Sequence, residues 1–401
     1  MNSKIFISLF VVAFMASCSE NEMQFPNDSK PKPPEKTEQK VEKAAVAFAS
    51  SLSESAIATK AGKEASLGVV SVNSYKLPRG KETRSVSQGD PTKVYSVSLS
   101  ENKGSVILVS DNDSNVMPVA YFGGVANINV QEALEDTVST LGFLVQQAVN
   151  ESFGEVSVQA SEEPYKVADR VKPKCKVAWR RFVSPYCKTK DGKNADVGRV
   201  AVAGAQALTV LRPYIDDGNF SHQPWGDLYE DLYYNQNDTR LPEREAQKVL
   251  REKIISYVAN KVKTDFKETE SKAKKENLIS FFKEKFNIID YDAKRVLEVL
   301  NTKHGIIVVS GYRAKHGWGP WESYVDWHIF IADGYVKYED KDDKYYMHVN
   351  FCEGPRSAFD VYILSYKKHW DKDLAKKVGY KALYEHKLKY ASFTYPSEKY
   401  W

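Results

Sequence analysis

The sequence predicts an α+β protein, with helices and strands segregated along the chain. Three observations predict it. Short alternating apolar runs with Asn, Asp and Gly turns crowd between residues 68 and 124. Helical patterns, apolar on one face and rich in Lys and Glu on the other, occupy much of residues 199–301. Strand-like runs then follow closely from Gly305 to Tyr366. Helices gathered ahead of strands argue against a doubly wound parallel sheet, which would alternate the two.

Each element has its own signal. Glu42–Ser53 carries an Ala/Val/Phe face at helical spacing. "GVVSVNSYKL", "KVYSVSLS", "GSVILVSD" and "PVAYFGG" read as strands of a small sheet. Val130–Glu151 has apolar residues three and four apart and reads as one helix. Residues 164–174 are charged, contain proline and are poor in aromatics, so a domain boundary or processing linker is placed near 160–172. After an apolar helix that begins at Arg199 comes an aromatic loop, "SHQPWGDLYEDLYYNQNDT". Helices are expected over Pro242–Lys263, Lys274–Phe286 and Asp292–Asn301. The strands "GIIVVSGY", "WHIFIADGYVKY", "KYYMHVNF" and "DVYILSY" follow. Residues 367–401, rich in Lys and Tyr, are expected to add a strand or helix to the core.

Composition narrows the functional classes. The chain has 401 residues, long enough for two ordinary domains, and 42% of them are hydrophobic, which indicates a globular body. A net charge of +4 is small for this size, and the lysines are interleaved with acids, so nucleic acid is not an expected partner. The opening "MNSKIFISLFVVAFMASC" reads as a secretory signal too short to span a bilayer. Its "MASC" ending resembles a bacterial lipobox, which implies lipidation of Cys18 and attachment to the cell envelope, at the outer membrane or cell surface. Plain signal-peptidase cleavage nearby is the alternative. Residues 19–40 are polar and Pro-rich and read as a disordered tether. Beyond Cys18, the three cysteines Cys175, Cys187 and Cys352 cannot all pair within the chain. They show no CxxC and no histidine at ligand spacing, so neither a metal nor another cofactor is expected.

An ordered set of motifs carries a family resemblance. A tryptophan precedes a "PY-x-x-C"-like loop in "WRRFVSPYCKTKDGKN", and a glycine-led helix mouth runs to Ala-Gln in "GRVAVAGAQAL". "SGYRAKHGWGPWESYVDWHIFIADGY" places a histidine on a strand before Asp-Gly-Tyr, and "YMHVNF" closes the set. With these motifs, residues 172–366 resemble the streptopain family of papain-like cysteine peptidases. Residues 41–160, with "KVYSVSLSENKGSVILVSDNDSNVMPVAYFGG", resemble the Spi-type inhibitory prodomain of that family. The resemblance implies a papain-like α+β fold, preceded by a small α+β prodomain after the signal at 1–18 and followed by the extension at 367–401.

The family chemistry explains the spacing. A thiol at a helix N-terminus is biased toward thiolate by the unpaired N–H groups and the helix dipole. A histidine from a distant strand pairs with it, a third group holds the ring, and a side-chain donor helps bind the oxyanion. Carried over, the nucleophile position directly after Gly198 is Arg199. The family histidine is retained as His328 and the asparagine as Asn350. Trp179 is followed by Arg180 and Arg181, so Arg181 stands where the oxyanion glutamine would be. "FCEGPRS", beginning at Phe351, replaces the usual Trp/Gly-rich run. A guanidinium stays protonated and has no lone pair for attack. The resemblance therefore implies a proteolytically inactive member.

Alternatives accompany each reading. Cys187 lies in a loop before the helix, and Cys352 is read as a small filler at a strand end. His328 could be a satisfied core histidine; His348 is read as structural, and His316, His304 and His222 as loop residues. Trp179, Trp327 and Phe351 are cleft candidates; Trp318, Trp321, Tyr324 and Trp327 could equally pack on the sheet. Arg199 is either a solvated helix-end arginine or, with Arg180 and Arg181, part of an anion-receptive groove. The expected function is a pseudopeptidase that binds a peptide, a protein or a related peptidase in the former substrate cleft, with the membrane as partner through the Cys18 lipid. An active thiol peptidase with another nucleophile, and an inhibitor acting through the prodomain, are the competing functions.

Overall fold

The alternating runs in the first third fold as an antiparallel meander: β1 (Val69–Lys76), β2 (Lys93–Leu99), β3 (Ser105–Ser110) and β4 (Val116–Gly123). In this computed structural model, residues 37–52, 67–77, 91–111, 115–136, 140–150, 152, 156, 165–218, 220, 223–228, 245–284, 286–290, 296–316, 323–339, 344–350, 360–366 and 386–394 are described. The turn between β2 and β3 depends on Gly104. Its φ is +101°, and a Cβ there would sit 2.0 Å from the carbonyl oxygen of Phe122. Helix α1 (Thr37–Leu52) lays Val41, Ala45, Phe48, Ala49 and Leu52 into the core, the spacing of one helical face.

The single helix expected over 130–151 is two. Helix α2 (Val130–Glu135) ends at Asp136, whose ψ of 112° is extended, and α3 (Thr140–Asn150) follows. The end of α2 is capped by a side chain from α3. Gln146 donates from Nε2 to the carbonyls of Ala133, Leu134 and Asp136 at 3.1, 2.9 and 2.9 Å. Apolar spacing shows which residues face the core, but it does not reveal a break that a glutamine on the next helix satisfies.

The remaining elements are β5 (Val167–Val171), the hairpin β6 (Val183–Lys188) and β7 (Asn194–Asp196), α4 (Arg199–Leu211), α5 (Glu245–Lys261), α6 (Lys275–Lys283), β8 (Asn287–Asp290), α7 (Val296–Asn301), β9 (Ile306–His316), β10 (Ser323–Tyr338), β11 (Lys344–Asn350), β12 (Asp360–Tyr366) and β13 (His386–Thr394). The expected helices are present among the described residues as α5, α6 and α7, and α6 is shorter than expected. The C-terminal segment contributes β13, inserted between β9 and β8. Part of the expected linker is a strand, because β5 pairs with the end of β10.

All of these strands except β6 and β7 belong to one 11-stranded sheet ordered β1-β2-β3-β4-β12-β11-β10-β9-β13-β8, with β5 alongside β10. The pairs are antiparallel throughout, so the chain is α+β. The link between β4 and β12 joins the first third of the chain directly to the last, with Val361 opposite Phe122 and Tyr362 opposite Tyr121. Strand β10 divides two cores by its period of two. Ile329 and Ile331 pack with α4, α5 and α6, whereas Phe330 and Ala332 pack with α1, α3 and the meander. A strand buried on both faces accounts for the unbroken apolar run "IFIA".

Candidate functional site

Helix α4 begins at the glycine-led mouth that the motif predicts. Gly198 is its N-cap at φ 78°, ψ 154°, and Arg199 is its first residue. The backbone angle favours glycine, and a Cβ at Gly198 would lie a tight 3.0 Å from the carbonyl oxygen of Ser271. Every residue from Val200 to Leu211 is buried, which holds the mouth rigidly against β9, β10, α5 and α6. Arg199 itself is half-buried.

The negative charge at this mouth comes from Asp196, at the end of β7 and 4% exposed. Its Oδ2 accepts the Ser271 N–H at 3.0 Å and lies 3.8 Å from Nη1 of Arg181. Burial pushes the Asp196 carboxyl up; the Ser271 N–H, Arg181, the Gly198 N–H and Arg199 oppose that, in falling order. Arg181 therefore faces a buried carboxylate, and Arg199, three residues after Asp196, adds the smallest of these influences on it. Arg180 is exposed. The sequence reading missed Asp196, though an acid just before the helix-opening glycine was a visible signal for a charge facing an N-terminus.

Below the mouth, deeper along α4, lies a polar cluster in an apolar surround. Cys175 is buried, its Sγ 3.4 Å from the Val177 carbonyl, 3.7 Å from Thr209 Oγ1 and 3.8 Å from Gln206 Nε2. Asn350 donates from Nδ2 to the Val177 carbonyl at 2.7 Å and approaches Cys175 Sγ at 3.7 Å. Burial first, then the charge of Asp333, pushes the Cys175 thiol up to about 12, against hydrogen bonding with Val177, Thr209 and Gln206, which lowers it. Cys187, in β6, is also buried and free, and burial pushes its thiol up too. Neither thiol has the lowered pKa that a nucleophile needs.

A second charged group ties strands together behind this cluster. Asp333 accepts the Cys175 N–H at 2.6 Å through Oδ2 and the His348 ring through Oδ1 at 2.6 Å. The other ring nitrogen of His348 lies 3.4 Å from Asp360 Oδ1. Burial alone would lower the histidine, and it is the largest single influence, but Asp333 and Asp360 together raise it to about 10. His348 thus lies between two carboxylates that favour its charged form and links β10, β11 and β12.

Of the remaining candidates, Trp179 is 6% exposed and packs in the core around α4. His328 and Trp327 are on β10, with His328 opposite Gly311 and Trp327 opposite Tyr312; their backbones alone are described. Phe351, Cys352, Trp318, Trp321, His222 and Cys18 lie outside the described residues. Among the described residues there is no group of three or more His, Cys, Asp or Glu arranged to hold a metal. Among them, too, no helix is long and apolar enough to cross a membrane.

No protein-family model and no curated protein matches the chain. Among solved structures, it is similar to a fragment of Prevotella intermedia prointerpain A carrying a cysteine-to-alanine mutation, at 14% identity and a TM-score of 0.45, covering 82% of this chain and 100% of that one. It is also similar to active wild-type Prevotella intermedia interpain A cysteine protease, at 16% identity and a TM-score of 0.35, covering 59% of this chain and 100% of that one.

Proposed function

We propose that the chain is a non-catalytic homologue of streptopain-type cysteine peptidases, held at the cell envelope through Cys18, that binds a peptide or protein at the former substrate cleft. The reading rests on the motif set and on the elements that carry it: a glycine-capped buried helix, Asp-Gly on β10 and His-Val-Asn on β11. One observation carries the inactivity. The first residue of α4 is an arginine, at the place where peptide cleavage by this chemistry needs a thiolate. With no nucleophile there and no glutamine at Arg181, neither acyl transfer nor oxyanion binding has its group.

The test uses the chain from Ser19 onward. A peptidyl epoxide directed at papain-like thiols and a casein hydrolysis assay are applied together. No covalent labelling and no hydrolysis above background are expected. Stoichiometric labelling of one cysteine, lost in His328→Ala, would establish an active thiol peptidase instead.

A further inference from the structure

We infer that residues 37–150 are a permanent half of this fold, so that a cut between them and residues 165–394 leaves the two pieces associated. The inference is independent of the function proposed above, because it concerns only how the two segments are joined. Three kinds of contact carry it. The first is backbone: β4 and β12 are neighbours in one sheet, paired from Asp360–Gly123 to Ile363–Ala120. Removing the first segment would expose one side of β12 in the middle of a sheet, a row of unpaired N–H and C=O groups.

The second is apolar. Phe48 of α1 sits among Tyr165, Tyr338 and Tyr346, with ring centroids 5.5, 6.1 and 4.6 Å away. Phe48 and Tyr346 are each 0% exposed, so the ring cluster is part of one core. That core takes Val94, Ile107 and Phe122 from the first segment and Val336, Val349 and Ile363 from the second. The second segment alone would turn this whole sheet face to water.

The third is polar and sits along the same seam. Tyr346 donates from its hydroxyl to the Pro118 carbonyl at 2.7 Å. Ser51 Oγ and the Tyr338 hydroxyl are 2.6 Å apart, and Arg170 donates to the Ser51 carbonyl. Separation would leave buried hydroxyls and carbonyls to be resolvated one by one.

The consequence is functional. Whatever holds the N-terminus also holds the second segment, cut or uncut. The β4 edge and the apolar face of residues 37–150 are occupied within the same chain, which leaves those surfaces closed to a second protein.

A site-specific protease sequence inserted between residues 157 and 164 tests this in the otherwise full chain. After complete cutting, both pieces are expected to elute together at the size of the uncut protein, and to part only in denaturant that also abolishes the circular dichroism. Separation in native buffer, with a folded second piece, would overturn the inference. Hydrogen exchange on the unmodified chain gives a second readout that needs no insertion. The slowest amides of β2 and β3 should open with those of β11 and β12 at the same denaturant dependence. Exchange of β2 and β3 at markedly lower denaturant would equally overturn it.

Discussion

His348 Nδ1 lies 2.6 Å from Asp333 Oδ1, and the two side chains are 2% and 0% exposed. Asp333 also receives the Cys175 N–H, so one carboxylate joins β10, β11 and the segment leading to Trp179. A buried pair of this kind contributes little compared with an apolar replacement, but breaking it strands the surviving charge. Asp333→Asn is expected to lower stability by about 3–5 kcal/mol. Urea unfolding followed by circular dichroism checks it; a loss below about 1 kcal/mol would mean that the histidine is neutral in the folded protein.

The same pair sets a pH dependence. His348 is raised to about 10 in the folded state from an ordinary value of 6.5. A raised histidine contributes stability that is complete below 6.5 and is lost as pH climbs through 10. Lys174 acts in the opposite sense, because burial lowers it to about 8, although it donates to the carbonyls of Thr302 and Gly305 at 2.8 Å. Asp333 also opposes the lowering of Lys174, so the comparison is made in a Lys174→Met background, with and without Asp333→Asn, which removes the lysine contribution from both proteins. The gap in unfolding free energy between the two proteins should therefore be widest just below pH 6.5 and shrink toward pH 10. A gap that is flat across that range would exclude a charged His348.

Thiol accessibility provides a direct check on the site. Cys175 is pushed up to about 12 by burial, and Cys187 is also pushed up. At pH 8 both should resist iodoacetamide in the native protein and react once it is unfolded, as read by peptide mass mapping of each cysteine. Rapid native labelling of Cys187 would place a reactive thiol in β6 and reopen the enzyme reading.

Much of this was legible in the sequence, and the gaps have physical causes. The meander, α4 and the strands β9–β12 announce themselves by period, since a strand with one or both faces buried must show alternating or unbroken apolar residues. The break between α2 and α3 does not, because it is satisfied by Gln146 from outside the helix that ends. Strand β5 does not stand out from a linker in the sequence, because its pattern, Val-Ala-Asp-Arg-Val, is half-exposed and its pairing partner on β10 is remote in sequence. Around the helix mouth and below it, Arg199, Arg181 and Asn350 can be named from motif order. Asp196 is visible only as an acid just before the helix-opening glycine; its burial beside Ser271 and Arg181 is a property of the fold.

Gly198 offers a stability test of the helix mouth. At φ 78° and ψ 154° it occupies a region that L-residues avoid, and a methyl group would crowd the Ser271 carbonyl at 3.0 Å. Gly198→Ala should cost about 1–3 kcal/mol. Thermal unfolding would show it as a clear drop in Tm; an unchanged Tm would mean that the mouth relaxes freely and that the Asp196–Arg199 arrangement is not rigid.

Placing a thiol and an amide at the α4 mouth tests the proposed loss of chemistry. Arg199→Cys places a thiol at the N-terminus of a buried helix, where the dipole favours thiolate, but it leaves the carboxylate of Asp196 close by, and that opposes ionisation. It also leaves a cation at Arg181 in place of an amide donor. Arg199→Cys alone is therefore expected to give slow casein hydrolysis. Adding Arg181→Gln should raise the rate by about 10²–10³, the usual worth of one oxyanion donor. The gain should vanish in a triple variant that also carries His328→Ala, which separates restored catalysis from a contaminating peptidase. If the double variant labels with a peptidyl epoxide yet cleaves nothing, the thiol is reachable but the imidazole on β10 is not positioned to protonate a leaving amine. If it neither labels nor cleaves, the α4 mouth is not the seat of a former nucleophile, and the resemblance ends at the fold.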